Sequence, residues 1–359
     1  MKILTRYVLR EFLRIWAMIF AAFAVLYVIV DFFEKIGRFA RYDPTVGQIA
    51  AYFLYKLPLI LLQMLPVSVF LAALLSFAVL AKNQEITAAR AGGVSIRRLA
   101  LPMVLTSFVF AALAFAFDQT LVPTFTDRSD RIYQEDIRGR RAKQLQVRDA
   151  LWTRSGRWFF HCTLYDPAIE TLKTFQAWAV EDGVRVSEAI EAREAHWEGD
   201  RWVAVEGVRR RFGADGSFDY ETFDRLDLVD LVDPSRLKVI GKDAEAMTAA
   251  ELLDNIARLR EAGEPTAELE VDFHEKLAVS FAPIITVLLG VPFGLKGSRS
   301  GGLALGILYA VILLFGYYVV LAWGIALGHA GTLSPPVAGW AATMFFGLMG
   351  AYLFARVER

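Results

Sequence analysis

"AKNQEITAARAGGVSIRRLA" (residues 81–100) joins two long apolar runs. It carries Glu85 together with Lys82, Arg90, Arg97 and Arg98, and Gly92-Gly93 interrupts it. A bare turn between two membrane crossings needs only a few residues. Lys82 to Ala91 consists of good helix formers, and the two glycines permit a sharp turn before Val94–Leu99 re-enters an apolar run. The stretch predicts a short surface helix, bounded as residues 82–98, between two crossings.

On either side the pattern repeats on a larger scale. The chain has 359 residues, 55% hydrophobic, yet 22% are charged. Both hold only if charged and apolar residues are segregated. A ~30 Å hydrocarbon core takes about 20 helical residues. Segments of that kind are Phe12–Phe33, Tyr52–Ala81, Leu99–Val122, Leu277–Leu295, Gly301–Gly328 and Leu333–Ala355. A long polar region separates the first three from the last three. The expected fold is an α+β membrane protein with six transmembrane helices in two groups of three. Its parts are residues 1–122, a polar domain at 123–273, and residues 274–359.

The charges orient this plan. Lys2, Arg6, Arg10, Arg14, Lys82, Arg90, Arg97, Arg98, Lys296, Arg299, Arg356 and Arg359 fall on one side of the expected crossings. Lys35, Arg38 and Arg41 fall on the other. The positive-inside rule then predicts cytoplasmic termini and an outside domain. Residues 1–24 imitate a signal peptide ending in Ala22-Phe23-Ala24. Cleavage is not expected, because the apolar run continues through Val30 and is needed for an even number of crossings. The net charge is zero, which gives no case for nucleic acid. Cys162 is the only cysteine.

From Gln144 to Val232 the period changes to two. Turn signals stand at Ser155-Gly156, Asp166-Pro167, Glu181-Asp182-Gly183, Glu198-Gly199-Asp200 and Ala214-Asp215-Gly216-Ser217. Evenly spaced turns predict an antiparallel sandwich or open barrel. Trp152, Trp158, Phe160, Trp178, Trp197 and Trp202 read as its core. Thr248-Ala-Ala-Glu251 reads as a capping box opening a helix over 248–262, which Gly263 closes.

Chemistry is sparse. His161, His196, His274 and His329 make no metal-ligand pair at helical spacing. "GVPFGLKGS" (290–298) has Leu295 where a phosphate loop needs its second glycine. Asp31, Asp118 and His329 are scattered along the chain and predict no catalytic set. No cofactor, metal or catalytic residue is expected. Gly302, Gly306 and Ala310 form a small-residue face for close helix packing. Pro58, Pro66, Pro283 and Pro292 predict kinks.

Physics leaves two readings of residues 82–98: a docking helix for a cytoplasmic partner, with Glu85 as ion-pairing group, or a helix held by lipid headgroups. The stretch is similar to the coupling helix of the lipopolysaccharide-export permeases, the LptF/LptG family. "DFFEKIGRFARYD" (31–43), "MTAAELLDNIARLREAG" (247–263), "FHEKLAVSFAPIITVLLGVPFGL" (273–295) and "GHAGTLSPPVAGW" (328–340) resemble that family in order, and the first resembles its LptG branch.

The resemblance implies a periplasmic antiparallel β-jellyroll between the third and fourth helices. It implies a permease that takes lipopolysaccharide sideways from the outer leaflet of the bacterial inner membrane, through a gate of helices 1 and 5. Expected partners are a paralogous LptF-type permease, a cytoplasmic LptB-type ATPase dimer that hydrolyses the ATP, a single-span LptC-type protein and a periplasmic bridge. Glu85, Ile86 and Arg90 are the expected ATPase-coupling residues. Lys35, Arg38, Arg41 and Arg131 are the expected lipopolysaccharide contacts; the first three cover about a third of a helix circumference, a clamp for lipid phosphates. The alternatives are the LptF-type subunit or a permease for another lipid or lipoprotein.

Overall fold

A computed structural model describes residues 2–137, 151–155, 157–166, 170–181, 185–213, 217–228, 244–261, 265–300 and 303–358. The turns expected at Gly156, Pro167, Asp182-Gly183 and Ala214–Gly216, the helix stop at Gly263, and Gly302 lie outside them. So do the side chains of Trp152, Lys296 and Arg299.

Before the strands come α1 (Lys2–Tyr42), α2 (Val46–Lys82), α3 (Glu85–Ala91) and α4 (Ile96–Arg131), which ends in one wide turn, Ile132–Ile137. After them come α5 (Ala249–Glu261), α6 (Ala267–Ser280), α7 (Ala282–Ser300), α8 (Leu303–His329) and α9 (Pro335–Ala355). Local chemistry marks several boundaries. Thr45 and Gln48 form a capping box at the start of α2 that the sequence reading missed. The expected box at α5 is present: Glu251 N–H donates to Thr248 Oγ1 at 3.1 Å, and Thr248 N–H to Glu251 Oε2 at 2.7 Å. Ser95 Oγ accepts from Arg98 N–H and starts α4.

Five helices are long and apolar enough to cross a membrane, and α6 with α7 makes a sixth crossing bent by 46°. The sequence placed that crossing at Leu277–Leu295 and expected kinks at Pro283 and Pro292. It starts earlier and breaks at Phe281, two residues before Pro283. Proline lacks the N–H and its ring clashes with the carbonyl four residues back, here in the last turn of α6. Pro58 and Pro66 lie inside the single helix α2, and Pro292 inside α7. Only Pro283 stands at a break.

Buried residues make up 72% of the most apolar stretch of α2, 44% of α4's, 22% of α8's and 6% of α1's. α2 is therefore the axis of the bundle, and α1 has the smallest share of buried residues in its apolar stretch. One core joins α1, α2 and α4 with Val287 and Val291 of α7. A second joins Phe70 and Leu74 of α2 to α7, α8 and α9. The two groups of three share α2 and α7. Their contact is close because of two glycines: a Cβ on Gly290 would lie 2.9 Å from Phe70 O, and one on Gly294 would lie 2.4 Å from Leu74 O. The segment that faintly resembled a phosphate loop is a small-residue helix seam.

The strands are β1 (Leu151–Ser155), β2 (Trp158–Asp166), β3 (Thr171–Glu181), β4 (Arg185–Trp197), β5 (Trp202–Phe212) and β6 (Phe218–Leu228). They form one antiparallel six-stranded sheet in the order β1-β2-β3-β4-β5-β6. The antiparallel expectation holds. A sandwich or jellyroll also needs a second sheet or crossovers, and the described strands form an up-and-down meander. The turn at Glu198–Arg201 forms as expected, with Gly199 at φ +76°.

One face buries Trp158, Phe160, Phe175, Ala177, Ile190 and Trp202. Trp178 is only half-buried and pairs with Phe159, 37% exposed, on the opposite face. Trp178 is thus not a core residue, because strand neighbours alternate in direction. A crease crosses the sheet. The ladders skip the row Thr163, Thr174, Arg193, Glu206 and Asp224. Thr174 has φ 50° and Glu206 φ 52°. At this row the buried positions jump by three, from Leu172 to Phe175 and from Ala192 to Ala195. β2 to β6 each carry the extra residue at the same level, so the sheet bends without losing register.

Candidate functional site

The chain leaves for the strands from one end of the bundle, the exit end, and α3 caps the other. α3 begins at Gln84, whose φ of 62° turns the chain out of α2. It ends at Gly92 and Gly93, and Gly93 has φ 78°. Ile86, expected to face a partner, is 5% exposed and sits in the core with Val8, Leu80 and Ile96. It is the anchor that seats α3. Glu85 is half-buried, bonded by the Asn83 amide at 3.3 Å, and its carboxylate lies near the Tyr7 hydroxyl of α1. Thr87, Ala88 and Arg90 are exposed. α3 thus touches α1, α2 and α4 from inside and presents a short polar face outside.

At the exit end, Lys35 is not on an open face as expected. Its Nζ lies 2.7 Å from Asp31 Oδ1, one helical turn back, and donates to Tyr52 Oη at 2.8 Å. Lys56 Nζ of α2 reaches the same carboxylate at 3.0 Å. The Asp31 side chain is 9% exposed, so burial makes these bonds matter. Both ammonium groups flank the Tyr52 ring, at 5.2 and 5.8 Å from its centroid, favourable cation–π distances. Phe39, Phe53 and Tyr133 pack around it. Two lysines share one carboxylate, which leaves this trio net positive. Arg41 is exposed on the last turn of α1, and the Arg38 side chain lies outside the described residues. Arg131 is exposed and lines a polar recess of about 310 Å³ with Arg128, Asp127 and Glu251. Sequence reasoning missed Lys56 and Tyr52. The available signal was that Lys56 is the one charge inside the apolar run Tyr52–Ala81, and intramembrane charges mark functional sites.

The structure also joins residues that the sequence left apart. Asp118 of α4 pairs with Lys276 of α6 at 3.1 Å, the two side chains 11% and 8% exposed. His329 of α8 meets Asp272 of α6 at 2.8 Å. Both pairs line one cavity of about 870 Å³, so Asp118 and His329 are not scattered in space. Asp31 belongs to the other cluster. No group of acidic, histidine or cysteine side chains among the described residues is arranged to hold a metal ion. Ala310 is fully buried within its own bundle, and Gly306 lies one turn earlier in α8.

Five apolar helices, a sixth crossing bent near Pro283, and an antiparallel sheet inserted after the third define an α+β polytopic membrane protein. The family model described as lipopolysaccharide export system permease LptF/LptG matches residues 6–356. The chain belongs to that family, and is a lipopolysaccharide export permease by family. No curated protein matches the chain.

Proposed function

We propose that this chain is the LptG-type permease subunit of an ATP-driven lipopolysaccharide extractor in the bacterial inner membrane, with both termini cytoplasmic and the sheet periplasmic. The observation that carries the coupling role is α3. It is anchored to three other helices through Ile86 and Tyr7, so force on its exposed face reaches α1, α2 and α4 together. A cytoplasmic ATPase dimer docks there, with Glu85 and Arg90 as the polar contacts. Spans α1 and α8 form the lateral gate with a second, paralogous permease, and α1 has the apolar surface this needs.

Substrate phosphates meet Arg38, Arg41 and Arg131 at the exit end. The net positive Asp31–Lys35–Lys56 trio supports them from behind. Lys35 acts through this buried network rather than as an open clamp. The lipid then passes along the creased sheet to a single-span accessory protein and a periplasmic bridge. Motif likeness at residues 31–43 favours the LptG-type subunit over the LptF-type.

The test is co-purification from membranes with a tagged ATPase. Glu85→Lys is expected to lower ATPase recovery at least about tenfold, the effect of losing one charge-assisted contact and gaining a repulsion. Thr163→Ser, on the sheet, is expected to leave recovery unchanged. Full recovery and normal lipid export with Glu85→Lys would remove α3 from the coupling path.

A further inference from the structure

The end of α9 and the residues after it pass from one half of the bundle to the other. Within α9, Phe346, Met349 and Leu353 pack in the second core. Phe354 and Val357 pack instead against the first core, which also holds Ile86 of α3 and Ile96 of α4. The N–H groups of Arg356 and Val357 donate back to carbonyls of α9, so the chain keeps turning after the helix ends. That turn sets Glu358 against the start of α4.

There one residue joins two helix ends. The first N–H groups of a helix and its last carbonyls have no partner inside it. Ser95 Oγ accepts from one such N–H of α4, that of Arg98. The N–H of Arg97 donates to Glu358 Oε1 at 3.4 Å. In the other direction, Arg97 Nη2 donates to the carbonyl of Ala355, the last residue of α9. Arg97 Nε stands 3.7 Å from Glu358 Oε2 and closes the ring of contacts. A carboxylate at a helix N-terminus and a cation at a C-terminus each have the favourable sign. Both side chains are exposed, so the pair adds little to stability. What it sets is geometry: the start of α4 and the end of α9 are held together in position and in direction.

The place of the pair gives it a role. Arg97 lies in the first turn of α4, directly after the glycine turn that ends α3. Along its length α9 lies hard against α8. A Cβ on Gly324 would sit 2.7 Å from Ala338 O, and the rings of Tyr317 and Phe346 are 5.6 Å apart. Close-packed helices transmit strain instead of absorbing it. We propose that Arg97 and Glu358 are positioning residues for transport, carrying a displacement of α3 through the tail of α9 to α8. The anchors of α3 reach α1, α2 and α4, and this link adds the second half of the bundle. The inference rests on the ATPase docking at α3 and deepens that reading.

The experiment uses the full complex in proteoliposomes containing lipopolysaccharide. ATP hydrolysis and lipid delivered to the soluble bridge protein are measured together. Arg97→Ala and Glu358→Ala are each expected to lower lipid delivered per ATP about threefold, the scale of one exposed ion pair. The double variant is expected to be no worse than either single one, because both remove the same link. Recovery of the tagged ATPase is expected to stay at the wild-type level in all three, unlike Glu85→Lys. Spin labels at the exposed Thr87 of α3 and Leu348 of α9 separate this link from the docking reading. Their distance distribution is expected to broaden in Glu358→Ala, with or without nucleotide, wherever the ATPase binds. Full ATPase recovery in Glu85→Lys would sink the docking reading alone. Unchanged lipid per ATP in both single variants, additive losses in the double variant, ATPase recovery as low as in Glu85→Lys, or an unchanged label distribution would each overturn the link.

Discussion

Cys162 shows how much one residue's surroundings decide. It is fully buried on the core face of β2, and burial pushes its thiol up to about 12 from its ordinary 9.0. Above pH 9 the unfolded chain loses this proton while the folded sheet keeps it. Stability is therefore full below pH 9 and falls as pH rises toward 12, by at most about 1.4 kcal/mol per unit from this group. Thermal melts of wild type and Cys162→Ala at pH 8 and pH 10.5 are expected to converge at the higher pH; parallel curves would place the thiol in contact with water. The sequence showed that this cysteine has no internal disulfide partner, yet not that it is inert. Lys35 teaches the converse. Its spacing from Arg38 and Arg41 was legible, but Asp31 and Lys56 turn it inward, and Lys56 comes from another helix.

Elements differ in how far their own sequence specifies them. The box Thr248–Glu251, the turn at Gly199 and the helix start at Ser95 are local hydrogen-bond patterns. The α2–α7 seam is not local. Gly290 and Gly294 are ordinary helix residues until α2's backbone arrives against them. In lipid, helices associate by packing and not by exclusion of water, so lost contact is not compensated. Gly294→Ala is expected to cost about 1–3 kcal/mol by overpacking. Gly347→Ala is the control, since its added Cβ would meet Ile285 at an ordinary 3.6 Å. Melting of the detergent-solubilised protein checks this, and equal loss at both positions would contradict the seam. The break of the fourth crossing has the same mixed origin. Pro283 was visible as a helix breaker, but Pro58, Pro66 and Pro292 looked alike in sequence and lie within continuous helices.

At the scale of the whole molecule, the apolar surface is uneven. Val25, Leu26, Ile29, Val30 and Phe33 of α1 and Phe315 of α8 are exposed, and so is Phe108 of α4. Lipid can cover all of them, whereas a gate needs α1 and α8 to face a second permease. A photo-crosslinker at Leu26 or Phe315 is therefore expected to capture that subunit, and one at Phe108 to capture lipid only. Equal protein capture from Phe108 would place the partner elsewhere. The amino-acid sequence by itself determined the division into three crossings, strands and three crossings, the surface helix, the capping box at Thr248 and the family. Those are properties of period, length and charge sign, which the chain carries locally. The tertiary structure alone decided which charges meet. Asp31 with Lys56, Asp118 with Lys276 and Asp272 with His329 each join two different helices. It also decided that the described strands bend as one creased meander. Side-chain partners across helices depend on rotation and approach, and periodicity fixes neither.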